Sequence, residues 1–182
     1  YAVALSGSTA DVKAALAGTF ADTYTGNVTI GDANNTDIQA TDITTINGDT
    51  TGTITVTNTI DVNGTAAQVK AAFDAIDTNT GNATATLSDA HTLAELKSIN
   101  NATIGTITLN DYTVALSGST ADVKAALAGT FADTYTGNVT IGDANAADIQ
   151  ATDITTFNGD TTGTITVTNK IDVNGTAAQV KA

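Results

Sequence analysis

The chain has 182 residues, 41% of them hydrophobic and 4% aromatic, and a net charge of −13. Its six basic residues are all Lys and Glu95 is its single Glu, so Asp carries the charge, which argues against nucleic acid or an anionic membrane surface as a partner. Cys, Met, Pro and Trp are absent, which removes disulfides, thiolate chemistry and soft metal sites; no run of about 18 apolar residues predicts membrane insertion, and no basic-then-apolar leader directs export.

Residues 1–71 return as residues 112–182 with five changes: Ala2 to Thr113, Asn35 to Ala146, Thr36 to Ala147, Ile46 to Phe157 and Thr59 to Lys170. An enzyme needs one unique arrangement of groups, whereas self-copying this close builds a length or a lattice. The organisation is one continuous array over 1–182, a larger repeat 1–111 and a partial copy 112–182, with sub-repeats 26–80 and 81–136.

In chain order, Ser or Thr followed three residues later by Asp, Gln or Glu recurs as Ser8/Asp11, Thr36/Gln39, Thr65/Gln68, Thr92/Glu95, Ser119/Asp122 and Thr176/Gln179. Each predicts a helix N-terminus closed by a capping box, with Asp11 and Asp122 short for the reciprocal bond. The starts at 8, 36, 65, 92 and 119 predict a unit of about 28 residues. Where Ala147 replaces the cap, the helix must begin from Asn145 or another polar neighbour.

A Gly and an alternating small polar and apolar run follow each helix, at Gly26, Gly52, Gly81, Gly105, Gly137 and Gly163. The period of two predicts half-buried strands, with Val28, Ile30, Ile54, Val56, Ile107 and Leu109 inward and Thr29, Thr55, Thr84 and Thr108 in one outward column. After Val56 the even positions run on through Asn58 to Ile60 and Val62, a longer strand; after Leu109 parity slips to Tyr112, which predicts a bulge or corner. Units of strand, helix, longer strand and helix pair into repeats of 55 or 56 residues, and parallel crossovers are right-handed almost always. The fold class is therefore α/β: a right-handed solenoid of strand-helix units with a parallel sheet, one coil holding about 28 or about 55 residues. In the helices, Val69, Phe73 and Ile76 share one face and Leu93, Leu96 and Ile99 another. Lys13, Lys70, Lys97, Lys124 and Lys181 recur five residues after the cap, either as a basic ridge or as solvated partners for nearby Asp.

Chemistry-bearing residues are sparse. His91, the one histidine, needs an activated Ser such as Ser88 or Ser98 to form a nucleophile-base pair, and placement at a helix start without that role is the simpler reading. No EF-hand loop or calcium-binding nonapeptide array is present, yet Asp32 with Asn34 and Asn47 with Asp49 are oxygen-rich turns that read as calcium ligands or as Asx turns and caps. No other cofactor is expected, and the sequence gives no enzyme. Sequons at Asn27, Asn34, Asn63, Asn82 and Asn101 are what an Asn- and Thr-rich chain produces unaided.

The outward threonines form the main candidate binding face: Thr29, Thr53, Thr55, Thr84, Thr106, Thr108, Thr140, Thr164 and Thr166. Pairs such as Thr53-Ile54-Thr55 and Thr106-Ile107-Thr108 resemble the ice-binding faces of some β-solenoid antifreeze proteins, although Asn27, Gly31, Asn82 and Asn110 interrupt the array. Thr is also a good residue for the wet side of a strand.

The stretches TAAQVKAAFDAID, TGNATATLSDAHTLAELKSI and STADVKAALAG resemble the tandem repeats of very large secreted surface proteins of bacteria, cyanobacteria in particular. That resemblance implies an extracellular, cell-surface role in a sheath, filament or adhesin stalk and transfers no site residues. The chain begins inside a strand and stops in an opening helix, so a longer array, or ends stacking on ends, is the expectation. The reading is a structural repeat module whose partners are copies of itself, end to end or laterally. The alternative is an adhesin whose Thr ladder binds ice, polysaccharide or a neighbouring fibre.

Overall fold

The structure is a computed structural model and describes residues 1–181. The chain opens with β1 (Leu5–Gly7), α1 (Thr9–Leu16), β2 (Val28–Ile30), β3 (Asp37–Gln39), α2 (Ala40–Asp49), β4 (Ile54–Val56), β5 (Asp61–Gly64) and α3 (Ala66–Ala75). A middle stretch follows with β6 (Thr78–Asn79), β7 (Thr84–Leu87), α4 (Leu93–Ala102) and β8 (Ile107–Thr108). The second copy then carries β9 (Leu116–Gly118), α5 (Thr120–Leu127), β10 (Val139–Ile141), β11 (Asp148–Gln150), α6 (Ala151–Asp160), β12 (Ile165–Val167), β13 (Asp172–Asn174) and α7 (Ala177–Lys181). Stretches that match in sequence thus carry the same elements in the same order.

Every strand pairing among the described residues is parallel, in sheets ordered β1-β2-β4-β6, β3-β5-β7-β8, β12-β10-β9 and β11-β13. Partners lie between 22 residues apart, as in Ala85 with Ile107, and 26, as in Val28 with Ile54. One pass of the chain is therefore shorter than the spacing of the predicted caps, and no strand pairs with one about 55 residues away. The helices stack in chain order, α1 on α2 through to α6 on α7.

Three sequence expectations need correction. Thr36 caps no helix: it lies in a turn after Asn35, and residues 37–39 are held extended by pairing with β5, so α2 starts only after Gln39, which makes no side-chain cap bond. The counterpart α6 likewise starts after Gln150 rather than at Asn145. The longer strand after Val56 is two strands in two sheets, with the corner at 57–60 tied where Asn58 Nδ2 donates to the Asp32 carbonyl at 2.6 Å. The parity slip after Leu109 does mark a corner, where the chain leaves the sheet of β8 for that of β9.

The inward positions behave as their alternation predicts: Val28, Ile30, Ile54, Val56 and Ile107 are fully buried. They meet Val69, Phe73, Leu96 and Ile99 from the helices in one core that runs unbroken from Val12 to Phe157. Ser8, Thr65, Thr92 and Ser119 cap their helices, Thr65 and Thr92 with the full reciprocal box.

Candidate functional site

The polar chemistry of the chain is concentrated where one pass lies on the next. The first device is an Asp that caps the helix of the preceding pass. Asp32 Oδ2 accepts from the Thr9 backbone N–H at 2.7 Å and its hydroxyl at 2.6 Å, Asp143 does the same to Thr120, and Asp89 accepts from the Ala66 N–H at 2.7 Å. A carboxylate at a helix N-terminus satisfies an orphan donor and meets the positive end of the helix dipole. Asp77 clamps a strand in the same way: its N–H donates to the Ile54 carbonyl and its carboxylate accepts from the Ile54 N–H at 2.8 Å.

The second device precedes the strands. In Thr50-Thr51-Gly52, Thr103-Ile104-Gly105 and Thr161-Thr162-Gly163, a buried Thr hydroxyl donates to a carbonyl of the preceding pass and accepts from the Gly N–H. At Tyr24 and Tyr135 a phenol performs the reach, donating to Val3 and Val114. The following glycines are there for close approach. A Cβ on Gly52 would lie 2.2 Å from the Gly26 carbonyl oxygen, and one on Gly81 2.1 Å from that of Asn58. No glycine takes a positive φ, so conformational freedom is not their purpose.

Tyr135 anchors the one buried histidine. His91 is 3% exposed, with Nε2 3.1 Å from the Tyr135 hydroxyl, which itself donates to the Val114 carbonyl at 2.6 Å. The phenol has one proton and spends it on Val114, so the network assigns His91 as the Nε2–H tautomer, donating to Tyr135. Nδ1 is then a bare lone pair, and it has no partner. Burial lowers the His91 pKa against the opposing pull of Asp111, Glu95 and Asp89, and burial raises that of Tyr135. Ser88 and Ser98 are not brought to it: Ser88 is exposed, and Ser98 donates to Asp74 at 3.0 Å.

The proposed calcium turns are used otherwise. Asp32 is engaged by Thr9, and Asn34 Oδ1 accepts from the Thr59 N–H at 2.9 Å. Asn47 and Asp49 are not in a turn at all but in the last turn of α2. Among the described residues no group of three or more His, Asp or Glu converges as a metal ligand set. The recurring lysines meet aspartates: Lys13 with Asp42, Lys97 with Asp122 at 2.5 Å and Lys124 with Asp153 at 2.6 Å join neighbouring helices, and Lys70 pairs with Asp74 within α3. Lys97 and Ser119 hold the Asp122 carboxyl below its usual pKa. Lys181 lies in α7.

The threonine column is split. Thr29 and Thr55 stand in register with Ser6 and Thr78 in one sheet, and Thr140 and Thr166 with Ser117 in another. Thr84 and Thr108 belong to a different sheet, where Thr84 faces Asp61 and Thr108 faces Thr86. Thr53, Thr106 and Thr164 precede their strands and give their carbonyls to Val28, Ala85 and Val139. Sequence reasoning missed the Asp caps and the Thr-x-Gly staples, although the recurrence of Thr two residues before Gly52, Gly105 and Gly163 was a signal for the latter.

No protein-family model matches the chain, and no curated protein or solved structure matches it either.

Proposed function

We propose that this chain is a structural repeat module of a long extracellular surface protein or filament, wound as a right-handed solenoid that supplies length, stiffness and an acidic surface. One observation carries the reading: Asp, Thr and Tyr side chains that another protein would aim at a ligand are spent on joining each pass to the one before. Such an array adds stability by nearest-neighbour contact, so it can be lengthened without a new fold. The resemblance of its repeats to those of giant bacterial surface proteins supports the extracellular setting, and the charge of −13 fits a surface that repels nucleic acid. Partners in this reading are copies of the same chain.

Electron microscopy of the chain lengthened by one and two further 111-residue units tests it. The expected outcome is a uniform particle whose contour grows by a constant increment per unit and is unchanged by a calcium chelator. Beads hinged on flexible joints would sink the reading, and shortening on chelation would return metal to the turns at Asp32.

The unbroken register of Thr29, Thr55 and Thr78 favours a second reading, an adhesive hydroxyl face for ice, polysaccharide or a neighbouring fibre. Under it, Thr55→Tyr with Thr166→Tyr abolishes adsorption to such a surface and leaves the far-ultraviolet circular dichroism unchanged; adsorption that survives both changes rejects it.

A further inference from the structure

The residue before a capped helix is Gly7 at α1, Gly64 at α3, Gly118 at α5 and Gly175 at α7, but His91 at α4. The glycines stand where space is short: a Cβ on Gly118 would lie 2.4 Å from Leu93 Cδ2, and one on Gly64 3.3 Å from the Ala40 Cβ. At α4 a whole imidazole fits, 3% exposed, with its ring centre 5.9 Å from that of Tyr135. The helix start does not require it, because Thr92 and Glu95 close the capping box by themselves.

The ring lies at a seam. Among the described residues no strand ladder runs from the sheets β1-β2-β4-β6 and β3-β5-β7-β8 to the sheets β12-β10-β9 and β11-β13. On the strand side the backbone crosses at the bridge of Ile107 with Phe131, where the Ile107 N–H donates to the Thr130 carbonyl at 2.8 Å and the Ala132 N–H to the Ile107 carbonyl at 3.0 Å. Side chains add to this thin join: Tyr135 donates to Val114 in the corner before β9 and receives His91 from the corner before α4, so one phenol ties three segments that stand about a pass apart. The helix side is held separately, by Lys97 with Asp122 at 2.5 Å and by Asn100 Nδ2 donating to the Ala125 carbonyl at 2.6 Å.

This tie suits a neutral ring alone. With the phenol proton spent on Val114, His91 donates from Nε2 and keeps a bare, buried Nδ1. A proton placed on Nδ1 needs an acceptor, and the three acids around the ring are engaged: Asp89 accepts from the Ala66 N–H, Glu95 from the Thr92 N–H and hydroxyl, and Asp111 from the Thr113 N–H and hydroxyl. Their charges favour protonation, but burial opposes it more strongly. An imidazolium here is relieved by reaching water, and the way out is to leave Tyr135.

We propose that the contact of His91 with Tyr135 is an acid-released latch: a proton taken up at Nδ1 drives the ring into solvent, residues 130–136 lift from Ile107 and from the corner before α4, and the packed helices α4 and α5 remain as the hinge. Above about pH 7 the seam is closed and the array is stiff; below about pH 6 it bends here, once in each 111-residue unit. The device belongs to the joint itself and stands whether or not the chain is part of a filament.

Amide hydrogen exchange of the full chain at pH 7.5 and 5.5, expressed as protection factors so that the intrinsic pH dependence of exchange cancels, tests it. The Ile107, Ala132 and Thr136 amides are expected to lose about fivefold to tenfold in protection at the lower pH, about tenfold being the ceiling because a released imidazole titrates near 6.5. At pH 5.5 they should also be at least about tenfold less protected than the Val28 and Thr84 amides, with exchange indifferent to urea up to about 1 M, since an opening confined to the seam exposes little surface. His91→Gln, whose carboxamide still donates to Tyr135 but does not titrate, should abolish the loss between the two pH values. Seam protection equal at both pH values, seam protection equal to that of Val28 and Thr84 at pH 5.5, or a loss that persists in His91→Gln would each overturn the proposal. Should that variant fail to fold, the unaltered chain decides: the His91 ring resonances are expected to titrate over the pH range in which the seam amides lose protection, and a displaced range would overturn the latch.

Discussion

At the scale of the residue, four of the five differences between the copies fall at positions whose bonds or backbone the structure shows, and the fifth, Ile46 to Phe157, leaves a fully buried side chain in both copies with no structural reason for the change. Thr113 donates its N–H and hydroxyl to Asp111, of which an Ala could supply only the N–H. Thr59 donates its hydroxyl to the Gly81 carbonyl of the following pass, whereas Lys170 is exposed. Thr36 makes no side-chain bond as a cap, so Ala147 costs nothing there. Ala146 is the exception. Both it and Asn35 hold a left-handed backbone, φ 62° and 60°, which Asn tolerates and Ala does not. Ala146→Asn is expected to stabilise the chain by about 1 kcal/mol, read from urea unfolding, because left-handed φ strains an ordinary L-residue by about 1–2 kcal/mol. His91 gives a pH test. Its folded pKa lies below the unfolded value near 6.5, so the unfolded chain binds more protons and stability is lost as pH falls from above 6.5 toward the folded pKa. A protonated ring would carry a second N–H with no acceptor. The melting temperature should fall between about pH 7.5 and 5.5, and His91→Gln should remove most of that slope; Asp111 and Asp122 are held low and titrate outside the window.

At the scale of the element, capping and periodicity carried most of what was legible. Thr65 and Thr92 close full boxes, and the apolar faces of α3 and α4 are those that the spacing of Val69, Phe73, Leu96 and Ile99 predicts. Thr65→Ala should therefore cost about 1 kcal/mol, while Gln39→Ala, at a start with no side-chain cap bond, should cost a few tenths; thermal melts of the two variants make the comparison. What misled was parity. A row of inward residues at 54, 56, 60 and 62 reads as one strand because a corner that preserves parity leaves no mark in a pattern of period two. Likewise Thr36/Gln39 has the composition of a capping box, yet the ladder between β3 and β5 competes for the same residues and prevails. The Asp caps were illegible for a third reason: donor and acceptor stand 23 residues apart, beyond any local pattern.

At the scale of the whole molecule, the sheets place like charges opposite one another, Asp37 against Asp61 and Asp148 against Asp172, within a chain of net charge −13. Thr84 and Thr86 relieve Asp61 by donating to its two oxygens. Raising salt from about 0.05 to 0.5 M should raise the melting temperature, since screening weakens this self-repulsion more than it weakens the exposed Lys–Asp pairs. The central claim is that each pass is stable through the pass laid upon it. Residues 54–64 and 165–175 provide the comparison, because they differ only at Thr59 and Lys170, carry strands at matching positions, β13 ending one residue earlier than β5, and are covered in the first case and open in the second. Amide hydrogen exchange on the monomeric chain should show the first stretch protected at least about 100-fold more than the second. Equal protection of the two would contradict the account, because stability would then reside in the local sequence rather than in the stack.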